Sequence, residues 1–84
     1  MTATEALKLI VENKTMPALN YAVNYAIAAL QMDINSHEFK VQCIYVVGNI
    51  SNWRARKQED IRSGLTKELI KDARKALKDA AGIK

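Results

Sequence analysis

Five cationic side chains near the end of the chain recur at the spacing of one helical face: Lys67, Lys71, Arg74, Lys75 and Lys78. Ammonium and guanidinium groups in such a row can neutralise phosphates, so the chemistry that they predict is binding and not catalysis. Lys67 and Lys71, like Lys71 and Lys75, form a like-charge pair four residues apart, and each such pair destabilises a helix by about 0.2–0.5 kcal/mol. A helix selected only for stability would alternate the signs more evenly. The row therefore favours an anionic partner, DNA or RNA first, with a solvated helix face as the alternative.

Three further cations lie beside the only tryptophan, in the segment Trp53-Arg54-Ala55-Arg56-Lys57. A nucleic-acid base could stack on the indole while Arg54, Arg56 and Lys57 contact phosphate, which would extend the basic patch. The competing interpretation is that Trp53 closes one end of a small hydrophobic core and that the arginines are solvated or cover its ring.

The tetrapeptide pattern Asn-Tyr-Ala occurs twice within residues 19–26, LNYA followed by VNYA. A four-residue step on a helix would place Asn20 above Asn24 and Tyr21 above Tyr25. Such a ladder, together with Trp53, is a candidate surface for recognising a partner. The alternative is a pair of half-buried tyrosines beside an asparagine strip that faces water.

Groups that could catalyse a reaction or hold a metal ion are too sparse to form a site. His37 is the only histidine and Cys43 the only cysteine, which excludes a disulfide within the chain and a cysteine-rich zinc site. Cys43 falls on an apolar stripe and is expected to be a buried small hydrophobe, whereas His37 is expected at the surface. No phosphate-binding glycine loop or catalytic triad spacing is visible. We therefore expect a protein that is not an enzyme and that uses no cofactor or metal.

Charge is distributed unevenly along the 84 residues, although the composition, 49% hydrophobic and 26% charged, is that of a folded globular domain. Residues 1–53 contain three basic and four acidic side chains, a net charge of −1, while residues 54–84 contain ten and five, a net charge of +5. The N-terminus lacks the basic start and apolar core of a signal peptide, and no run is long enough for a membrane span. These features predict a cytoplasmic protein, in the host cytoplasm if the chain is viral.

Hydrophobic periodicity predicts helices throughout, and the alternation typical of strands is missing. The first helix should begin at Thr2 or Ala3, because Thr2 and Glu5 match a capping box, and should end near residue 13 or 14. The second should cover residues 15–32, with Pro17 near its first position. The third should cover residues 36–53, with Ser36 as its N-cap.

The third helix should bury Phe39, Cys43, Val46, Val47 and Ile50, with Ile44 and Tyr45 widening this stripe. Gly48 in its interior predicts close packing against a neighbouring helix.

The basic segment should form a helix over about residues 57–81 that ends at Gly82, either unbroken or interrupted at Ser63-Gly64. Its apolar stripe should contain Leu65, Leu69, Ala73, Ala76, Leu77 and Ala80. The fold expected is an all-α, compact three- to four-helix bundle. It forms a single domain, residues 1–84, with its core over about residues 3–65 and the basic helix packed on it or partly projecting.

Residues 19–26 and 41–54, LNYAVNYA and VQCIYVVGNISNWR, resemble a group of small phage- and prophage-encoded proteins. Those proteins share the patterns LNYAxNYA and VQCxYVxxNxxxWR, and the likeness covers about residues 5–65. The resemblance implies a viral or mobile-element context. It implies no activity and no catalytic residues.

Two functions follow from these patterns. The first is a small non-catalytic accessory protein of phage type that binds nucleic acid through its basic C-terminal helix. The alternative is a protein-interaction module that binds and modulates a host or phage protein, with a homodimer as one form. A basic helix lying on an anionic membrane surface is a third and weaker alternative, because the apolar side of this helix is rich in alanine and lacks aromatic residues.

Overall fold

The chain is helical over most of the part that a computed structural model describes, residues 1–54 and 64–83. This part contains four α-helices, one 3₁₀ turn and no strand, which confirms the all-α fold class for the described residues. The elements in chain order are α1 (Ala3–Glu12), the 3₁₀ turn (Pro17–Leu19), α2 (Val23–Leu30), α3 (His37–Gly48) and α4 (Lys67–Ala81).

The helices surround one hydrophobic core. α1 packs against α2 and α4, and α3 packs against the same two helices, while at most marginal contact joins α2 to α4 within the described residues. α2 and α4 therefore lie across the core from each other. The core contains large side chains from every element except α2, which buries the small residues Ala26 and Ala29. The described polar and charged residues all remain outside the core.

α1 has the predicted capping box. The backbone N–H of Glu5 donates to Thr2 Oγ1, and the backbone N–H of Thr2 donates to Glu5 Oε1, each over 3.1 Å. Hydrogen bonding of the Glu5 carboxylate to the backbone N–H of Thr2, and secondly to its side chain, stabilises the charged form and lowers the pKa of Glu5. At the other end, Asn13 Nδ2 donates to the carbonyl of Leu9 over 2.8 Å, which also accepts the backbone N–H of Asn13 over 3.2 Å.

The prediction of a single second helix over residues 15–32 is wrong. A 3₁₀ turn begins at Pro17, residues 20–22 form a turn, and α2 starts only at Val23. No side chain caps either of these two starts. The 3₁₀ turn closes over three residues, with the Leu19 N–H donating to the Met16 carbonyl over 3.0 Å, whereas α2 begins with the Ala26 N–H donating to the Ala22 carbonyl over 2.9 Å. Tyr21 consequently lies before α2 and not within it.

α3 starts as predicted and ends earlier than predicted. Ser36 Oγ accepts from the Phe39 N–H over 3.1 Å, but the helix ends at Gly48 and not at Trp53. Asn49 Nδ2 donates to the Tyr45 carbonyl over 2.8 Å, which closes the helix end. The close packing expected at Gly48 is also wrong, because no described atom outside its chain neighbours and the backbone of its own helix lies within 4 Å of the position that a Cβ would take there.

Ile44 and Tyr45 do not widen the buried stripe of α3 as expected. Both are exposed, while Phe39, Cys43, Val46 and Ile50 are buried and Val47 is partly buried.

α4 begins at Lys67, after Gly64 at a φ of 87° and Thr66, whose Oγ1 accepts from the Leu69 N–H over 3.0 Å. Residues 57–81 are therefore not one uninterrupted helix, and residues 57–63 of that prediction lie outside the described residues. The predicted stop at Gly82 is confirmed. Gly82 has a φ of 74°, and the Ile83 N–H donates to the Lys78 carbonyl over 2.9 Å, as in a Schellman motif.

Instead of projecting, α4 buries its apolar side. That side contains Ile70, Ala73, Leu77 and Ala81 as buried residues, and Leu69, Ala76 and Ala80 as partly buried ones. Leu65, which precedes the helix, is buried in the same core.

Candidate nucleic-acid interface

Four lysines of α4 form one exposed surface, here named the lysine face: Lys67, Lys71, Lys75 and Lys78. At about 100° per residue they fall within an arc of about 80°, and at 1.5 Å per residue they extend over about 16 Å of the helix. The buried side of the helix fixes this orientation, because Ile70, Ala73 and Leu77 project into the core. The side chains of the lysine face are consequently held on one side of a packed element.

The acidic residues of α4 form a separate strip beside the lysine face. Glu68, Asp72 and Asp79 are all exposed and fall within an adjoining arc of about 40°. Asp72 Oδ2 accepts from the amino group of Met1 over 3.2 Å, which places this strip on the side of α4 that faces the start of α1. No ion pair joins a lysine of the face to a carboxylate in the described part of the chain. Among the residues that the structure describes, the four ammonium groups are exposed and lack an acidic partner.

Arg74 has a different position from the lysines. One terminal nitrogen of its guanidinium donates to the carbonyl of Ile50 over 3.0 Å and to that of Trp53 over 2.9 Å. The side chain is partly buried and connects α4 to the chain that leaves α3. These hydrogen bonds give Arg74 a structural role. Its spacing in the sequence predicted a phosphate contact, but its guanidinium points to backbone carbonyls instead.

The segment around the tryptophan is only partly described. Trp53 is completely buried, which confirms the interpretation that it closes the core and leaves no ring surface on which a base could stack. Arg54 is exposed. Arg56 and Lys57 lie outside the described residues.

Lys40 is a cation near α4 that sequence analysis did not select. It is an exposed residue of α3, and its Cε and Nζ lie 3.1 and 3.2 Å from the position that a Cβ on Gly82 would take. Because Arg74 reaches the end of α3 while Lys40 reaches the end of α4, the two helices run antiparallel. Nothing in the sequence of α3 marks Lys40, since its position depends on how two distant helices pair.

A second exposed surface, on α2, the turn before it and α3, is here named the tyrosine face: Tyr21, Tyr25 and Tyr45 with Asn20 and Asn24. Tyr21 is 79% exposed, and Tyr25 and Tyr45 are 37% and 48% exposed. The rings of Tyr25 and Tyr45 pack with their centroids 5.1 Å apart and their planes tilted by 33°. The predicted pairing of Tyr21 above Tyr25 on one helix is thus replaced by a contact between α2 and α3.

The remaining candidates for chemistry are Cys43 and His37. Cys43 is completely buried, and burial raises the pKa of its thiol to about 11, so it is protonated at neutral pH. His37 is exposed, as expected. Among residues 1–54 and 64–83, no cluster of three histidine, cysteine, aspartate or glutamate side chains could hold a metal ion. None of the described helices is both long and apolar enough to cross a membrane.

No family model, characterised protein or solved structure matches the chain. The two faces and the fold that orients them are therefore the observations from which a function can be argued.

Proposed function

We propose that this chain is a small, non-catalytic accessory protein, of the phage type that it resembles, which binds the sugar–phosphate backbone of nucleic acid through its lysine face. The observation that carries the proposal is the separation of charge on α4. Four exposed lysines lie together, and the three acidic residues next to them make no ion pair with them in the described residues. Phosphates at the lysine face would relieve the repulsion between neighbouring ammonium groups.

The chemistry of α4 favours contact with the backbone over reading of bases. Its sequence, KELIKDARKALKDAA, contains no aromatic residue that could stack on a base. Lysine is a flexible point charge without the planar fork that lets arginine recognise a guanine edge. Binding should therefore depend weakly on sequence and strongly on salt. If all four lysines contact B-DNA phosphates, the logarithm of the affinity should fall with the logarithm of salt with a slope of about −3.6.

The test is a titration of the protein into labelled duplex and single-stranded DNA and RNA at two salt concentrations. Lys71→Glu/Lys75→Glu is the test variant, and Lys8→Glu/Lys14→Glu is its control. All four positions are exposed, so the two variants change the net charge equally while only one alters the lysine face.

We expect tight, salt-sensitive binding that the first variant abolishes and the second retains. If both variants lose binding equally, net charge and not the lysine face determines the affinity. No binding by the unmodified protein at low salt would refute the proposal.

The tyrosine face supports a second candidate function, protein interaction. Exposed aromatic side chains are common at the centres of protein interfaces and uncommon on free surfaces. Tyr21 at 79% exposure and the ordered Tyr25–Tyr45 pair fit that description. Two kinds of partner are consistent with this function. One is a second copy of this chain, and the other is a protein of the host or the phage.

A further inference from the structure

We infer that a second copy of this chain docks on the tyrosine face. The result would be a symmetric dimer whose two lysine faces point away from each other. The dimer stands without the proposed function. The consequence that it bridges two nucleic-acid segments rests on that function.

The first argument is charge. Residues 15–32 contain no charged side chain, although the whole chain carries a net charge of +4. In a dimer with two-fold symmetry each surface patch meets its own copy, so any net charge on that patch meets like charge. The lysine face would therefore repel itself. The exposed surface of α2, with Asn24, Tyr25, Ile27 and Gln31, can approach its own copy without that penalty.

The second argument is chemical self-complementarity. A tyrosine hydroxyl and an asparagine amide can each donate and accept a hydrogen bond, so Tyr21 and Asn24 can pair with the same groups on a partner copy. The rings add large apolar area, and those of Tyr25 and Tyr45 already contact each other in the free chain. Ordering them on docking would cost less conformational entropy than ordering flexible side chains. A face built only of hydrogen-bond donors, or only of charges of one sign, could not pair with its own copy and would need a partner of complementary chemistry.

The third argument is the position of the face in the bundle. α2 lies across the core from α4, since both pack against α1 and α3. A dimer formed through α2 leaves both lysine faces on its outer sides, where neither hinders the other. Two such faces in one particle could hold two duplexes, or two segments of one duplex, with the gain in apparent affinity that a second linked site provides.

Sedimentation equilibrium over a range of concentrations tests the dimer. We expect a mass near twice the 9.4 kDa of the chain. Tyr21→Glu/Tyr45→Glu should raise the dissociation constant of the dimer at least about tenfold, because it introduces two negative charges that meet their copies. Ile44→Glu is the control. It lies next to Tyr45, is 41% exposed and points to another side of α3.

Tyr21→Glu alone keeps the test valid if the double variant fails to fold, because Tyr21 buries little surface. A protein that stays monomeric at millimolar concentration would overturn the inference. So would a dimer that the tyrosine variants leave intact and Ile44→Glu disrupts.

Energy transfer between duplexes carrying different dyes then separates the two proposals. Energy transfer that is lost both in Lys71→Glu/Lys75→Glu and in Tyr21→Glu/Tyr45→Glu supports a dimer that bridges two duplexes. A dimer that brings no duplexes together would refute the proposed function and leave the dimer standing. Duplex binding by a protein that stays monomeric would support the proposed function and refute the dimer.

Discussion

At the scale of single residues, Arg74 shows how position changes the role of a charge. Arg74 lies three residues after Lys71 and four before Lys78, the same helical spacing that joins the lysines of the face. It nevertheless lies closer to the packed side of α4 and is partly buried. The carbonyls of Ile50 and Trp53 follow the C-terminal end of α3, and the Ile50 carbonyl also accepts the Trp53 N–H over 3.0 Å. A guanidinium satisfies both while keeping its charge partly solvated. Lys75, one position later, is exposed and has no such partner in the described residues.

Arg74→Ala should therefore destabilise the protein, and Lys75→Ala should not. Loss of two hydrogen bonds from a charged donor to partly buried carbonyls should reduce the free energy of unfolding by about 2–3 kcal/mol. The exposed lysine should contribute less than about 0.5 kcal/mol. Urea unfolding followed by circular dichroism measures both. If the two variants are equally stable, Arg74 does not fix the end of α3.

At the scale of secondary-structure elements, two glycines end two helices under different constraints. Gly48 is the last residue of α3 and has no positive φ, and a Cβ there would meet no described atom within 4 Å. Gly82 follows α4 in the left-handed region at a φ of 74°, with the side chain of Lys40 against it. The same substitution should therefore have opposite effects at the two positions.

Gly48→Ala should stabilise the protein by about 0.5–1 kcal/mol, because alanine restricts the unfolded chain and creates no clash. Gly82→Ala should destabilise it by about 1–2 kcal/mol, because a side chain is unfavourable in the left-handed conformation. Paired thermal and urea unfolding curves would show both signs. Equal effects at the two positions would mean that α4 does not end in the conformation described.

Helix starts with local caps were predictable from the sequence, and features that depend on distant contacts were not. Thr2 and Ser36 form the predicted caps because each bond joins residues three apart. The start of α2 was missed because no side chain caps the chain at Pro17 or Val23. The role of Arg74 depends on Ile50 and Trp53, which precede it in the sequence by 24 and 21 positions. The position of Lys40 depends on the pairing of α3 with α4. For the same reason the sequence predicted the row of cations on α4 but not that Arg74, unlike the four lysines, would donate to backbone carbonyls in the described part of the chain.

At the scale of the whole molecule, charge and packing define two opposite sides. α4 carries the four exposed lysines of the lysine face, while the surface of α2 on the other side of the core is uncharged. α4 holds five cations and three carboxylates, a net charge of +2, and repulsion among these cations opposes folding. A protein selected only for stability would gain by losing some of these lysines. Stability and binding should accordingly respond in opposite directions when one of them is reversed.

Lys71→Glu tests this opposition. The variant turns the repulsions of residue 71 with Lys67, Lys75 and Arg74 into attractions, loses one attraction to Glu68, and lowers the net charge from +4 to +2. The free energy of unfolding should rise by about 0.5–1 kcal/mol, which corresponds to roughly 2–8 °C in Tm for a domain of this size. Nucleic-acid affinity should fall in the same sample, with Lys8→Glu as the control of equal charge. A variant that loses stability together with binding would mean that Lys71 belongs to the structure, and the lysine face would lose its central member.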